Sequence, residues 1–92
     1  MTDVDTVLEE RGKTHGNFLQ HAAITQGIKD VMRMGRNYTF DTLDVDQLEA
    51  LDMIAHKLGR IVSGDPNHTD SWLDTAGYAM LIVRRLEKDA AK

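Results

Sequence analysis

The sequence has no cysteine and a single proline, and only 5% of its residues are aromatic. Without cysteine, neither a disulfide nor a cysteine-based metal site nor a thiol nucleophile can form. The longest apolar run, residues 79–83, is far too short to cross a bilayer. The 92 residues have room for one domain, and a domain of this size is only marginally stable alone. We therefore expect residues 1–92 to form one domain that completes its core by pairing with copies of itself.

Positive charge is also scarce. The net charge is −4 and the basic residues are interspersed with acids, which argues against nucleic acid as a partner. A phosphate-bearing small molecule is compatible with this balance, because a divalent cation can bridge carboxylates to phosphate. Residues 1–5 are acidic and contain no apolar run, so they do not resemble a signal peptide. We expect a cytoplasmic protein with no membrane partner.

Apolar residues recur at helical spacing in four stretches, which predicts an all-α fold. The predicted elements are a short helix over residues 3–11, a second helix over 17–34, a third between Asp44 and Gly64, and a fourth over 69–88. Gly12 is expected to end the first helix, so that residues 13–16 form a loop. The only proline, Pro66, lies in the short turn before the fourth helix. So short a turn predicts an antiparallel hairpin of the last two helices.

The third helix has the clearest start signal. Asp44 is a good N-cap, and Gln47 three residues later completes a capping box. The apolar stripe of this helix consists of Leu48, Leu51, Ala55, Leu58 and Val62. The fourth helix, with Thr69 as its expected N-cap, has the stripe Trp72, Ala76, Ala79, Val83 and Leu86. We expect the stripes to form the core and the domain to assemble as a helical-bundle homo-oligomer.

Carboxylates gather on the polar faces of the same two helices. At about 100° per residue, one stripe of the third helix and one face of the fourth carry the pairs Glu49 with Asp52 and Asp70 with Asp74. Carboxylates are the ligands that Mg²⁺ prefers. In one antiparallel hairpin the two pairs lie at different heights, so a second copy would have to bring them together. The alternative is a pair of solvated faces, on which acids near a helix start are favourable anyway.

A second candidate site lies in the predicted loop, where residues 11–16 concentrate positive charge and two glycines. Backbone amides in such a loop can hold an anion. Lys13 and His15 would contact a phosphate there, with Lys57 and Arg60 contributing from the third helix. The alternative is that the glycines only punctuate a turn.

His56 is the candidate catalytic residue, because Asp52 lies one turn before it and a carboxylate-oriented imidazole can act as a base. A surface hydrogen bond between the two is the alternative. Tyr78 is suited either to stacking on a nucleobase or to packing in an oligomer interface. Gly77 interrupts the fourth helix at a cost of about 1 kcal/mol relative to alanine. Its presence indicates the close approach of another helix or of a ligand.

Three stretches resemble a family of small phage and prophage proteins of unassigned function. They are residues 8–18, residues 49–61, and Gly64-Asp65-Pro66 followed by Asp70, Trp72, Asp74 and Gly77-Tyr78-Ala79. Together they span most of the chain. This resemblance implies a phage origin, and hence the host cytosol, without implying an activity.

A more distant resemblance is to the MazG-like all-α nucleoside triphosphate pyrophosphohydrolases. It implies an oligomer that binds Mg²⁺ through carboxylates and splits NTPs to NMP and pyrophosphate. Glu49-x-x-Asp52 matches the first acid pair, and Asp74 matches the aspartate of the second motif. Ser71 stands where that motif has its glutamate, with Asp70 one place off, and Val45 and Asp46 stand where the first motif usually has a further acid. These departures leave a weakened metal site or nucleotide binding without catalysis.

Three functions are therefore expected as alternatives. The first is a MazG-like phage protein that binds a nucleoside phosphate through a Mg²⁺–carboxylate cluster, with hydrolysis left open. The second is a non-catalytic anti-defence protein that sequesters a nucleotide signal or blocks a host protein. The third is a helical protein-interaction module.

Overall fold

The computed structural model describes residues 3–37 and 39–91. Within these ranges the fold is all-helical, as predicted, and contains no strand. The elements are α1 (Asp3–His15), α2 (Phe18–Arg33), two 3₁₀ turns (Met34–Asn37 and Phe40–Thr42), α3 (Val45–Ser63) and α4 (Thr69–Ala90). None of the described helices carries the long apolar stretch that a membrane span requires.

The first helix is longer than the sequence predicted. α1 continues through Gly12 to His15, so the expected loop over residues 13–16 shrinks to Gly16 and the N-cap Asn17 of α2. A glycine inside a helix costs only about 1 kcal/mol, and the flanking turns tolerate it here. Gly16 is the actual stop, because its φ of +76° is left-handed and its amide donates to the Gly12 carbonyl oxygen at 3.2 Å.

The α3–α4 hairpin is antiparallel, as predicted. Gln47 Oε1 accepts a hydrogen bond from the Asp44 amide at 2.9 Å, which fixes the start of α3. The turn before α4 is closed by the Asp65 carboxylate, which accepts from the Asn67 amide at 2.9 Å. The N-cap of α4 is His68, so the assignment of Thr69 to that role was wrong by one residue.

The chain folds as an open layer with α3 in the middle. α3 packs against α4 along one side and against α2 along the other, and α1 packs against one end of α2 and α3. Lys57 and Gly59, two positions apart on α3, face α4 and α2 respectively. Residues 50–61 of α3 are accordingly buried or half-buried, whereas most of α4 is exposed.

The apolar stripe predicted as the core of α4 is not buried within one chain. Trp72 is 53% exposed, and its indole Nε1 donates to the Pro66 carbonyl oxygen at 2.7 Å. α4 contacts α3 instead through a partly polar stripe that includes Ser71, which is buried. Among the described residues, the buried apolar side chains are Ala50, Ala55 and Ile61. The described part of one chain thus has only a small fully buried hydrophobic core.

Candidate functional site

The acid pair of α3 lies in a groove between α2 and α3. This groove, with a volume of about 260 Å³, is lined by Thr25, Gln26, Lys29, Glu49, Asp52, Met53 and His56. Asp52 Oδ1 lies 3.9 Å from Lys29 Nζ, so an α2 lysine supplies the nearest positive charge. Sequence analysis missed Lys29, although His21, Thr25 and Lys29 recur every four residues and form one stripe of α2.

The acids of α4 lie elsewhere. Asp74 Oδ2 forms a salt bridge of 3.0 Å with Lys57 Nζ, and Asp70 is exposed in the first turn of α4. No group of three or more acidic or histidine side chains in the described ranges is close enough to hold a metal ion. The four predicted ligands therefore do not fit a Mg²⁺ ion within one chain, because the acid pair of α3 stands apart from the acid pair of α4.

A basic cluster, which we define as His15, Lys57 and Arg60, forms where the end of α1 meets α3. Burial lowers the pKa of His15, and the charges of Arg60, His68 and Lys57 lower it further. His15 Nδ1 and Arg60 Nε are buried without a hydrogen-bond partner in the described structure. Lys57 is only 8% exposed and is balanced by Asp74. Positive charge and unused hydrogen-bonding capacity thus concentrate at this position.

His56 connects the basic cluster with the acid groove. Its ring lies in the groove beside Asp52, and its pKa is lowered to about 4 by burial and by Arg60, His21 and Lys57. A histidine with so low a pKa is neutral at physiological pH and is a weak base. Asp52 pairs with Lys29, and the pKa of His56 is governed by burial and by positively charged neighbours.

His21 and Thr25 hold α2 against α3, and neither was identified from the sequence. His21 Nε2 donates to the His56 carbonyl oxygen at 3.0 Å, and the two imidazole centroids are 4.5 Å apart. Burial lowers the pKa of His21, and this hydrogen bond partly opposes the effect. A Cβ on Gly59 would collide with Thr25 Oγ1 and the His21 ring. A glycine at position 59, inside a helix, is therefore the feature of the sequence that indicates the close contact of α2 with α3.

The glycines next to α1 serve packing. A Cβ on Gly16 would collide with the Ser63 carbonyl, and one on Gly64 would collide with Thr14 and His15. The Asp65 amide donates to the Thr14 carbonyl oxygen at 2.8 Å. This junction brings His15 to Arg60. Residues 13–15 belong to α1, so the expected anion-binding loop is not formed, and Lys13 lies exposed with its Nζ 3.4 Å from Glu10 Oε1.

Tyr78 lies between two open grooves. One, of about 390 Å³, is lined by Leu73, Asp74, Gly77, Tyr78, Met80, Leu81 and Arg84. The other, of about 600 Å³, is lined by Val45, Asp46, Glu49, Ala50, Tyr78, Leu81, Ile82 and Arg85. Arg85 is held at the edge of the second groove, because its guanidinium donates to both Asp46 carboxylate oxygens at 2.8 Å and to Asp44 Oδ2 at 2.8 Å. Asp89 also accepts a hydrogen bond from Arg85, at 3.0 Å, and the hydrogen bonds to Asp46, Asp89 and Asp44 raise the pKa of Arg85.

A family model matches residues 2–85, nearly the whole chain. The chain belongs to the family described as a domain of unknown function, DUF6378. No curated protein and no solved structure matches it.

The polar face of this DUF6378 domain combines two kinds of group along α3. Glu49, Asp52, His56 and Arg60 share one stripe, as their spacing predicts. The acids lie toward its start and the basic cluster toward its end. This order is suited to an elongated ligand that carries negative charge at one end.

Proposed function

We propose that the protein binds a nucleoside phosphate on the polar face of α3, with the phosphate at the basic cluster. The observation that carries the proposal is the pair of buried, unpartnered atoms, His15 Nδ1 and Arg60 Nε, at a position where the charge of Arg60 acts on His15. Buried polar atoms without a partner are costly. Phosphate oxygens would accept hydrogen bonds from both groups and offset the charge.

Distances along the polar side of the α3–α4 hairpin support a nucleoside as the rest of the ligand. The Lys57–Asp74 pair sets the register of the hairpin. At 1.5 Å per residue, Tyr78 lies about 6 Å from this pair along α4, and Arg60 lies about 4.5 Å from it in the opposite direction along α3. The groove beside Tyr78, of about 600 Å³, has the size of a small-molecule site. A base stacked on Tyr78 would leave its phosphates near Arg60.

Hydrolysis through Mg²⁺ is the finer form of the proposal, and it draws on the MazG-like resemblance. It would require a homo-oligomer in which Asp70 and Asp74 of one copy approach Glu49 and Asp52 of another. Because the acids of one chain do not fit a metal ion, the proposal rests on binding and assigns no catalytic step. A phage-encoded protein of this kind would act in the cytoplasm of the host cell.

Binding without turnover, as in sequestration of a nucleotide signal, is the second candidate. A specific observation favours it, since a lysine already neutralises one acid of each pair. Lys29 lies beside Asp52, and Lys57 lies beside Asp74. A lysine ammonium provides the positive charge that a metal ion would otherwise supply, but it cannot activate water for attack on phosphate.

A thermal-shift screen of nucleoside mono- and triphosphates and cyclic nucleotides, each with Mg²⁺ and with EDTA, tests the proposal. A ligand at 100 times its Kd stabilises the folded state by about 2.7 kcal/mol and raises Tm by several degrees. We expect a shift that survives EDTA for the binder, and a Mg²⁺-dependent shift with pyrophosphate release for the enzyme.

The variant Arg60→Gln should weaken binding at least about tenfold, because it removes the charged donor of the basic cluster. Arg33→Gln is the matched control, since Arg33 pairs with Asp30 on the exposed side of α2 at 2.7 Å. An equal loss in both variants would assign the effect to net charge alone. No shift with any nucleotide would refute the proposal.

A further inference from the structure

The described chain exposes far more surface than a compact protein of its mass. Its accessible surface is 6759 Å², whereas a compact monomer of 10.3 kDa exposes about 5,400 Å². The radius of gyration is 15.8 Å, compared with about 12 Å for a compact domain of this length. Each chain therefore exposes about 1,400 Å² more surface than a compact monomer of the same mass.

The excess surface includes one continuous apolar face. We name it the α3–α4 apolar face, and its members are Leu51, Leu58, Val62, Trp72, Ala76, Ala79, Val83 and Leu86. At about 100° per residue, the three α3 members lie roughly opposite the polar stripe of α3; Leu51 and Leu58 are half-buried, and Val62 is exposed. A groove of about 310 Å³, lined in part by Leu51, Ile54 and Ala79, runs along the face. Trp72 and Leu86 are about half exposed, at 53% and 46%.

We propose that this face pairs with the same face of a second copy in a two-fold symmetric homodimer. The area fits, because a standard interface covers about 800 Å² per partner and obligate homodimers bury about 2,000–5,000 Å² in total. Two chains that each covered about 1,400 Å² would fall within the obligate range. A two-fold axis requires only one self-complementary patch. Ala76 and Ala79, small residues one turn apart, allow the close approach of a facing helix.

The occupant is a second copy because the face replaces a missing core. One chain buries only three apolar residues, Ala50, Ala55 and Ile61, among those described. An obligate interface resembles a domain core cut in half, and chains with such an interface often have no stable folded monomer. A partner that completes the core must be available wherever the chain is synthesised. A second copy of the chain meets this condition.

This arrangement is independent of the proposed ligand. The polar stripe with Glu49, Asp52 and Arg60 points away from the α3–α4 apolar face, so the dimer leaves the basic cluster open. It also keeps the acid pairs of the two copies apart. Any Mg²⁺ site shared between copies would require a further contact on the opposite side.

Light scattering on the full chain at micromolar concentration tests the inference. We expect a mass of about twice 10.3 kDa and a Tm that rises with protein concentration. Val83→Arg places a charge on the face, where Val83 is 42% exposed, and should raise the dimer dissociation constant at least about tenfold. Leu81→Arg is the matched control, because Leu81 is 60% exposed on the other side of α4. That variant should remain dimeric.

Three results would overturn the inference. The first is a folded wild-type monomer with cooperative, concentration-independent unfolding, which would assign the face to another protein. The second is a dimer that Val83→Arg leaves intact. The third is a dimer that Leu81→Arg dissociates as readily as Val83→Arg does. If Val83→Arg fails to fold, the concentration dependence of the wild-type Tm still decides the matter, because only folding coupled to association produces it.

Discussion

Two glycines in the middle of neighbouring helices have opposite surroundings. A Cβ on Gly59 of α3 would collide with Thr25 and His21, whereas a Cβ on Gly77 of α4 would meet nothing within 4 Å. Both raise the same question in the sequence, namely why a good helix should contain glycine. Only the position of α2 answers it for Gly59. Gly77 remains unexplained within one chain.

The matched substitutions Gly59→Ala and Gly77→Ala should therefore change stability in opposite directions. Gly59→Ala forces α2 away from α3 and should lower the free energy of unfolding by about 1–3 kcal/mol. Gly77→Ala should raise it by about 0.5–1 kcal/mol, because alanine restricts the unfolded chain more than glycine does. Urea denaturation followed by circular dichroism at one protein concentration measures both values.

Stabilisation by Gly59→Ala would contradict the described contact between α2 and α3. Destabilisation by Gly77→Ala would show that another chain covers this part of α4. Weaker nucleotide binding by Gly77→Ala with unchanged stability would instead indicate a ligand that approaches the backbone there.

Single residues also show where sequence reasoning reaches its limit. The shared stripe of Glu49, Asp52, His56 and Arg60 follows from helical spacing alone. The partners of these side chains do not, because Lys29 reaches Asp52 only through the packing of α2 on α3. The expected pairing of Asp52 with His56 ignored this competing lysine. Local spacing determines which residues share a face, and tertiary packing determines which charges meet.

At the scale of elements, the end of α1 decides how the basic cluster forms. The backbone stops at Gly16, where φ is +76° and the chain passes close to Ser63 and Gly64. The sequence offers two glycines, at positions 12 and 16, and favours neither as the stop. The choice depends on the contact with the end of α3, which is 48 residues away, as the hydrogen bond from Ser63 Oγ to the His15 carbonyl oxygen illustrates.

Gly16→Ala should detach α1 from α3. A left-handed conformation costs a residue with a Cβ about 1–2 kcal/mol, and the collision with Ser63 adds to this. We expect amide hydrogen exchange in α1 to accelerate roughly tenfold or more while α3 and α4 keep their protection. The same variant should weaken nucleotide binding, because His15 would leave Arg60.

Gly12→Ala is the matched control for this junction. Gly12 lies inside α1 with nothing within 4 Å of a Cβ, so alanine should slow exchange in α1 or leave it unchanged. Equal acceleration in both variants would mean that the end of α1 does not depend on Gly16.

At the scale of the whole molecule, the helices and the hairpin were predictable, and their mutual packing was not. Apolar periodicity identified the stripes of α3 and α4 but could not say what covers them. The stripe of α4 lies largely open, because α4 meets α3 through its side that includes Ser71, whereas the stripe of α3 includes the buried Ala55. Apolar periodicity reflects every surface that a helix buries, including surface buried against other chains. The sequence alone therefore cannot distinguish an interface between chains from a core.

The final prediction concerns pH, because α1, α2 and α3 each contribute one histidine to the same region. The pKa values of His15, His21 and His56 all lie below the ordinary value of 6.5, and that of His56 is about 4. Between pH 6.5 and 4 the unfolded chain therefore binds more protons than the folded chain. Stability is fully present above pH 6.5 and is lost as the pH falls toward 4, by about 1.4 kcal/mol per pH unit for each additional proton.

Urea denaturation at fixed protein concentration from pH 8 to pH 4.5 measures this loss. His56→Asn should flatten the profile, because it removes the histidine with the largest depression of the pKa and keeps a polar side chain. Asp46 does not confound the measurement, since its pKa lies below the ordinary 3.8 and it titrates outside the window. A flat wild-type profile would mean that the three histidines are not held neutral. In that case the burial of the three rings and the charge of Arg60, which together lower their pKa values, would be weaker than the structure indicates.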